Sequence, residues 1–325
     1  MKNILVTGAG GFMGRHVVRA MIDNKDAHLI LIDHHNTDVD FSGNPKSRNK
    51  SLTFYNVDIR NRDAVFDMFS NEKIDTCIHL AAKVNVQDSI KYPDRTMDVN
   101  VKGTINILEA CSYSHIDNFV FASSAAVYGH PAKLPITEGH ELAPISPYGI
   151  SKLLAEQHVL SYMKSKKIPN TISLRIFNAY GEGQFGNESV MTKFAKRLSN
   201  GLAPIIYGDG MQIRDFISVS DVVNAILLSI KAMDEGDEKL LSTPSWIFNI
   251  GTGIGTSIKD LCEEMISFSG LDLKPIYQET NNKADIKASC ADITKSKNVL
   301  KFVPKNNLKI DLKNLVTTMI STHAK

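Results

Sequence analysis

Tyr148 and Lys152 are the residues of this chain whose types and spacing most directly permit chemistry. Both fall in Ser146-Pro147-Tyr148-Gly149-Ile150-Ser151-Lys152. Ser146 suits a helix cap and Pro147 the first helical position, and Ile150, Leu153, Leu154 and Val159 continue an apolar periodicity. Four residues apart on a helix, Tyr148 and Lys152 share a face, so an ammonium there can stabilise a phenolate and draw the tyrosine below its usual pKa of about 10. That would make a general base. A tyrosine and lysine at this spacing also occur on ordinary helix surfaces, so the surrounding elements decide.

Those elements read as a doubly wound parallel α/β sheet. Apolar, β-branched runs at 3–7, 29–33, 52–57, 76–80, 119–123 and 171–177 alternate with helical periodicity at 11–24, 62–69, 94–114 and 147–166. The 325 residues, 43% hydrophobic and 22% charged, suffice for a large core and two joined lobes. We expect a nucleotide domain over 1–177, with about 215–250 returning to it, and a smaller substrate lobe from 178–214 and 251–325. In particular, 215–232 reads as a strand and helix able to rejoin the main sheet. The polar stretches 36–50 and 234–245 read as exposed connections.

Composition narrows the partners. Thirty-seven basic against 35 acidic residues give a net charge of +2 with no basic block, so no nucleic acid is expected. No apolar run approaches membrane-spanning length and the N-terminus carries no signal-peptide core, so a cytoplasmic protein without a membrane partner is expected. Cys77, Cys111, Cys262 and Cys290 lack ligand spacing, and the adjacent His34 and His35 diverge, so no metal is expected.

The strand Ile4-Leu5-Val6 runs into Thr7-Gly8-Ala9-Gly10-Gly11-Phe12-Met13-Gly14, with glycines at 8, 11 and 14 opening a helix. Such a turn lets backbone approach a pyrophosphate at the helix N-terminus. Asp33 stands 19 residues beyond Gly14 at the end of the second strand, where a carboxylate accepts hydrogen bonds from a ribose 2′-hydroxyl and repels a 2′-phosphate. NAD is therefore expected over NADP. A second glycine turn, Gly251-Thr252-Gly253-Ile254-Gly255, has no such acid after it and reads as a plain turn, with Thr256 or Ser257 capping the next helix.

With Asp58-Ile59-Arg60-Asn61, His79-Leu80-Ala81-Ala82, Ser123-Ser124-Ala125-Ala126-Val127-Tyr128-Gly129, Leu174-Arg175-Ile176-Phe177-Asn178 and Tyr207-Gly208-Asp209-Gly210 through Arg214-Asp215-Phe216 added, the chain resembles the extended short-chain dehydrogenase/reductases. Among them it is most similar to the nucleotide-sugar 4-epimerase branch. The resemblance implies a Rossmann domain, bound NAD, a UDP-sugar substrate such as UDP-glucose or its N-acetylated relative, and a homodimer paired through the helices near 94–114 and 147–166. It implies that the Phe12 and Met13 amides face the pyrophosphate, Asp33 the adenosine ribose, and Asp58 with Ile59 the adenine. Ala81 and Asn100 would line the cofactor and Lys152 would bond the nicotinamide ribose. Ser124 and Tyr148 would face the sugar, and Asn178, Arg214 and Asp285 the rest of the substrate. On residue type alone Arg214 can equally pair with Asp215 or Asp209, Asn178 can close a turn, and Asp58 can serve only a turn.

The implied reaction is inversion at C4: Tyr148, sharing a hydrogen bond from Ser124, removes the 4-hydroxyl proton while C4 is oxidised to a ketone, then reduced from the other face. A 4,6-dehydratase of the same family would need an acid pair where Ala125-Ala126 stand; a non-catalytic sensor would not need the Ser124, Tyr148, Lys152 set. Three residues depart from the family pattern: Lys83, Ala126 in place of a hydroxyl, and Asn282, with Lys283 beside it, in place of an arginine for the diphosphate. Ser289 falls where relatives place a residue beside the sugar C2 substituent; its small side chain leaves room for an acetamido group.

Overall fold

The computed structural model describes residues 2–22, 27–34, 52–184, 189–243, 245–279 and 285–323. Twelve strands follow in chain order: β1 Lys2–Thr7, β2 Ala27–Asp33, β3 Leu52–Asn56, β4 Thr76–His79, β5 Asn118–Ser124, β6 Asn170–Ile176, β7 Asn178–Tyr180, β8 Ile205–Tyr207, β9 Ile213–Ser218, β10 Ile247–Ile250, β11 Gly255–Ser257 and β12 Ile276–Gln278. The helices are α1 Phe12–Met21, α2 Arg62–Asn71, α3 Val86–Lys91, α4 Pro93–Met97, α5 Gly103–Tyr113, α6 Pro147–Lys164, α7 Val190–Ser199, α8 Val219–Asp234, α9 Glu238–Leu241, α10 Ile258–Ser269, α11 Thr294–Val299 and α12 Leu308–His323.

Seven strands form one parallel sheet in the order β10-β6-β5-β4-β1-β2-β3. Strands such as β4, with all four residues buried, must be covered on both faces, and their continuous apolar runs are the sequence signature of that burial. One face packs Val17, Val18, Val222 and Ile226 of α1 and α8 onto Val6, Leu31 and Val120. The other packs Val65, Ile107, Leu108, Ala155 and Val159 of α2, α5 and α6 onto Leu5, Ile30 and Phe119. The strand order reverses between β1 and β4, so the helices leave opposite faces there and a crevice opens beyond the carboxyl ends of the strands.

All six expected strands of the first half are present, with ends displaced by a residue or two. The single helix expected over 94–114 is instead three pieces: α4, a π-helical turn at Asp98–Lys102, and α5. The π turn accommodates an extra residue and carries Asn100, which is buried. The segment 215–250 divides differently from expectation. The strand β9 joins β7 and β11 in a separate small sheet, whereas α8 packs on the main sheet and β10 extends it beside β6. Beyond these, α7, α10 and α12 bury Met191, Phe194, Leu261, Met265, Leu312 and Val316 in a core of their own.

The second glycine turn is built around a carboxylate of the chain itself. Asp215, fully buried on β9, accepts from Thr252 N–H at 2.8 Å, Thr252 Oγ1 at 2.6 Å, Gly253 N–H at 2.9 Å and Ala291 N–H at 3.0 Å. A Cβ on Gly251 would stand 2.7 Å from Asp215 Oδ2, which is why glycine is needed there, and Gly253 turns with φ +76°. Its reading as a plain turn therefore holds, and Ser257, whose hydroxyl accepts from Asp260 N–H, is the cap of α10. Asp215→Ala strands three backbone donors at once; at roughly 1–3 kcal/mol for an unsatisfied group, a loss on the order of 3 kcal/mol or more is expected in denaturant unfolding.

Candidate active site

The crevice at the carboxyl ends of the strands is one continuous cavity of about 1230 Å³. Its lining runs from Gly8 and Gly11 through Ser124, Tyr148 and Lys152 to Arg214 and Asp285. At one end, Gly8 takes φ +68°, and a Cβ there would meet the Ala81 backbone at 2.8 Å. A Cβ on Gly14 would fall 2.1 Å from the Gly8 carbonyl oxygen. The glycines thus bring the start of α1 down onto the strand ends. Gly11 at the head of α1 makes no side-chain cap, and Phe12, Met13 and Gly14 line the cavity there. Asp33, at the end of β2, holds the turn through Gly10 N–H at 3.0 Å. An uncapped helix start, a turn that admits no Cβ and a strand-terminal carboxylate together fit a dinucleotide.

The two residues expected at the adenine, Asp58 and Ile59, also have partners within the chain. Asp58 binds Arg60 through Nε at 3.0 Å and Nη2 at 2.6 Å, and that guanidinium holds its carboxyl below the ordinary range. Asp58 lines a separate shallow hollow with Arg60, Asn61, Asp98 and Lys102. Ile59 is a core residue against which Gly103 packs, since a Cβ there would sit 2.5 Å from its side chain.

A hydrogen-bond chain not foreseen from the sequence ties the glycine turn to the tyrosine. Thr7 Oγ1 accepts from Leu80 N–H at 3.2 Å and Ala81 N–H at 3.1 Å, so its own proton goes to His79 Nδ1 at 2.7 Å. The ring hydrogen of His79 therefore sits on Nε2 and is donated to Thr104 Oγ1 at 2.9 Å, which donates to the Asn100 carbonyl at 2.6 Å. Burial, then the nearby Lys152 charge, pushes His79 down to about 3, so it stays neutral. Asn100 does not present its amide to the cavity. It accepts from Lys83 N–H at 2.7 Å and donates to Lys83 O and Ser151 Oγ, both at 2.9 Å. Ser151 in turn donates to the Tyr148 carbonyl at 2.7 Å. Lys83, without an assigned role in the sequence, is thus held by its backbone.

At the centre, Ser146 caps α6 through Gly149 N–H at 3.1 Å and Pro147 opens the helix, as the sequence indicated. Ser124 ends β5, and its hydroxyl accepts from Ala126 N–H at 3.1 Å while hydrogen-bonding the Tyr148 phenol. Lys152 Nζ donates to the Ala122 carbonyl at 2.7 Å and lies 5.1 Å from the Phe121 ring centroid. Burial lowers Lys152 to about 8, with Glu156 opposing the fall. The expected lowering of Tyr148 by Lys152 is not the dominant effect in the chain alone: burial raises the phenol, and the Ser124 hydrogen bond pulls it back in part. Behind these residues lies a buried pair that sequence reasoning did not assemble. Arg175 grips Glu156 through Nε and through Nη2 at 2.6 Å, with 2% and 1% of their side chains exposed. An arginine near the end of the otherwise apolar strand Asn170–Ile176 was its visible signal, since such a buried residue demands an acid.

At the far end, Asn178 lines the cavity at the start of β7. Arg214 pairs with neither Asp209 nor Asp215; its Nη2 meets Asp285 Oδ1 at 2.5 Å, and Nη1 donates to its own strand at Ile213 O. Burial lowers this guanidinium and Asp285 opposes that. Lys193 and Lys196 of α7 line the same end. Ser289 is 5% exposed, donates its N–H to Ile213 O at 3.0 Å, and is not among the cavity-lining residues. Asn282 and Lys283 lie outside the described residues. Among the described residues there is no cluster of three metal-ligating side chains and no helix long and apolar enough to cross a membrane.

The chain is similar to known proteins over nearly its whole length. The UDP-glucose 4-epimerase of Lactobacillus helveticus is 32% identical over 318 residues, 93% of this chain and 92% of that protein. The crystal structure of a UDP-glucose 4-epimerase from Thermotoga maritima with UDP-glucose superposes with a TM-score of 0.85 at 32% identity, covering 98% of this chain and 99% of the other. A UDP-N-acetylglucosamine 4-epimerase from Methanobrevibacter ruminantium, in complex with UDP-N-acetylmuramic acid, gives 0.85 at 30%, covering 99% of each chain. Residues 4–251 match the family profile, and the chain belongs to the NAD dependent epimerase/dehydratase family.

Proposed function

We propose that this protein is a UDP-sugar 4-epimerase that inverts C4 of a UDP-hexose, accepting UDP-glucose and UDP-galactose and also their 2-acetamido forms. The observation that carries the reading is the single cavity in which Ser124, Tyr148 and Lys152 lie between a dinucleotide cradle and the Arg214–Asp285 end. When bound, NAD supplies the acceptor and donor for the hydrogen at C4. Tyr148 takes the proton from the 4-hydroxyl, and Ser124, fixed by Ala126 N–H, shares the hydrogen bond that orients that hydroxyl. Lys152, held by Ala122 O, supplies the positive charge that favours the phenolate. Return of the proton from Tyr148 to the ketone after the sugar has turned completes the inversion. Dehydration is disfavoured, because Ala125 and Ala126, which follow Ser124 in a short 3₁₀ turn, offer no acid or base at C5 and C6.

Arg214 supports a doubly anionic substrate by charge-assisted hydrogen bonding, with Asn178 beside it. A second copy of the chain is the proposed partner: α6 leaves Ile150 and Leu154 exposed, and Tyr113 of α5 is 77% exposed, an apolar face suited to a homodimer. Sedimentation at micromolar concentration is expected to give twice the chain mass, reduced to the monomer by Leu154→Glu.

Tyr148→Phe keeps the ring and removes the proton acceptor, so NAD binding is expected to persist while turnover falls by a factor of 10² or more, on the order of what a positioned acid–base group contributes. NMR of product mixtures from UDP-glucose checks this; wild-type turnover in the variant, or a 4-keto-6-deoxy product from the wild type, contradicts the assignment. Ser289→Tyr is expected to lower kcat/KM for UDP-N-acetylglucosamine relative to UDP-glucose: Ser289 is buried behind the cavity wall, hydrogen-bonded to Ile213 next to Arg214, and a ring there has to push that wall into volume that an acetamido group requires. An unchanged ratio removes Ser289 from sugar selection.

A further inference from the structure

We propose that Glu156 is a positioning residue for this reaction: its buried carboxylate, one helical turn beyond Lys152, fixes α6 against β5 and seats the ammonium at the end of that strand. The function proposed above supplies what the ammonium is for; the placement of charge is independent of it. Three successive turns of α6 grip three successive residues of β5. Tyr148 meets Ser124, Lys152 Nζ donates to Ala122 O, and Glu156 Oε2 accepts from Ser123 Oγ at 2.6 Å. Displacing Glu156 therefore displaces the register that sets Ser124 against Tyr148.

Glu156 is also where the negative charge resides. The other titratable groups facing Lys152 are Tyr148 on its own helix and the neutral His79 from β4, while β5 offers the Phe121 ring and a carbonyl. On the elements packed against α6 from the other side, Asp94, Arg95, Asp98 and Lys102 are exposed. Burial alone moves Lys152 down, and Glu156 is the group that opposes it. Arg175 binds the carboxylate through two nitrogens, and is itself fixed by donating from Nη1 to Tyr128 Oη at 2.9 Å and Glu138 O at 3.1 Å. Tyr128 passes its proton to Asn249 Oδ1 at 2.6 Å. Lys152, Glu156 and Arg175 thus carry one net positive charge where deletion of Glu156 would leave two.

The sign follows. With Glu156 neutralised, the Lys152 ammonium loses its opposing charge, so its proton leaves at lower pH and the alkaline limb of activity moves down with it. The test is ¹³Cε NMR titration of lysine-labelled full-length protein, with the Lys152 signal assigned by its loss in Lys152→Met, alongside pH profiles of kcat for UDP-glucose. In Glu156→Gln the Lys152 midpoint and the alkaline limb are expected to shift together to lower pH; in Glu156→Asp, which keeps the charge, the midpoint stays close to wild type. If Glu156→Gln does not fold by circular dichroism, Arg175→Met, which removes the competing guanidinium and leaves Glu156 facing Lys152 alone, carries the test with the opposite sign, the Lys152 midpoint moving to higher pH. A Lys152 midpoint unmoved in the folded variant overturns the proposal, because a purely structural Glu156 would change stability and leave the titration in place. Absence of turnover in the wild type would instead count against the proposed reaction, and the NMR midpoint would still decide the role of Glu156.

Discussion

A lysine ammonium buried at the end of a parallel sheet is the constraint around which this structure is arranged. Lys152 is 4% exposed, and an amine in such a place sheds its proton unless carbonyls, aromatic faces and opposite charge replace the lost water. The Ala122 carbonyl, the Phe121 ring and Glu156 are that replacement. Each must come from a different direction: two from β5, one from the next turn of α6. Burying Glu156 then requires Arg175, and Arg175 requires Tyr128, Asn249 and the Glu138 carbonyl. One charged group in the cavity thus dictates polar residues on β6 and β10, well behind the surface that a ligand would touch.

The same requirement explains the two kinds of packing in the nucleotide domain. Most of the sheet is held by aliphatic residues whose exchange for others of similar volume is tolerated. Around β4 and α6 the interior is instead hydrogen-bonded, from Thr7 through His79, Thr104, Asn100 and Ser151 to the backbone of Tyr148. A fully satisfied buried network has few alternative arrangements, which suits a region where a few tenths of an ångström matter.

What could be read from the sequence divides along physical lines. The parallel sheet, the capped start of α6, the glycine turn at β1 and the Tyr148–Lys152 spacing follow from local periodicity or short-range spacing, whereas Ser124 came from the family resemblance; all three side chains line one cavity. The π turn at Asp98–Lys102 left no trace, because one inserted residue barely disturbs an apolar periodicity. The placement of β9 in a small separate sheet was equally hidden: strand propensity gives no partner. Side-chain pairing was least accessible. Arg214 had two acidic neighbours in sequence, yet it pairs with Asp285, 71 residues on, while Asp215 turns inward to backbone donors. Asp58 and Ile59 show the short-range side of this, one paired with Arg60 two residues on and the other packed in the core.

The nest around Asp215 also bears on how the cavity can change shape. Its four donors come from the turn that leaves the main sheet after β10 and from the segment at Ala291, while the aspartate itself lies on the small sheet. A jaw-like opening of one lobe from the other would have to pull hydrogen bonds off a carboxylate with no water to take their place. The small sheet is consequently tied to the turn after β10 and to the segment at Ala291. One aspartate thus acts as a pin between the small sheet and the main one, and any swing of the first against the second is felt there before it is felt at the cavity.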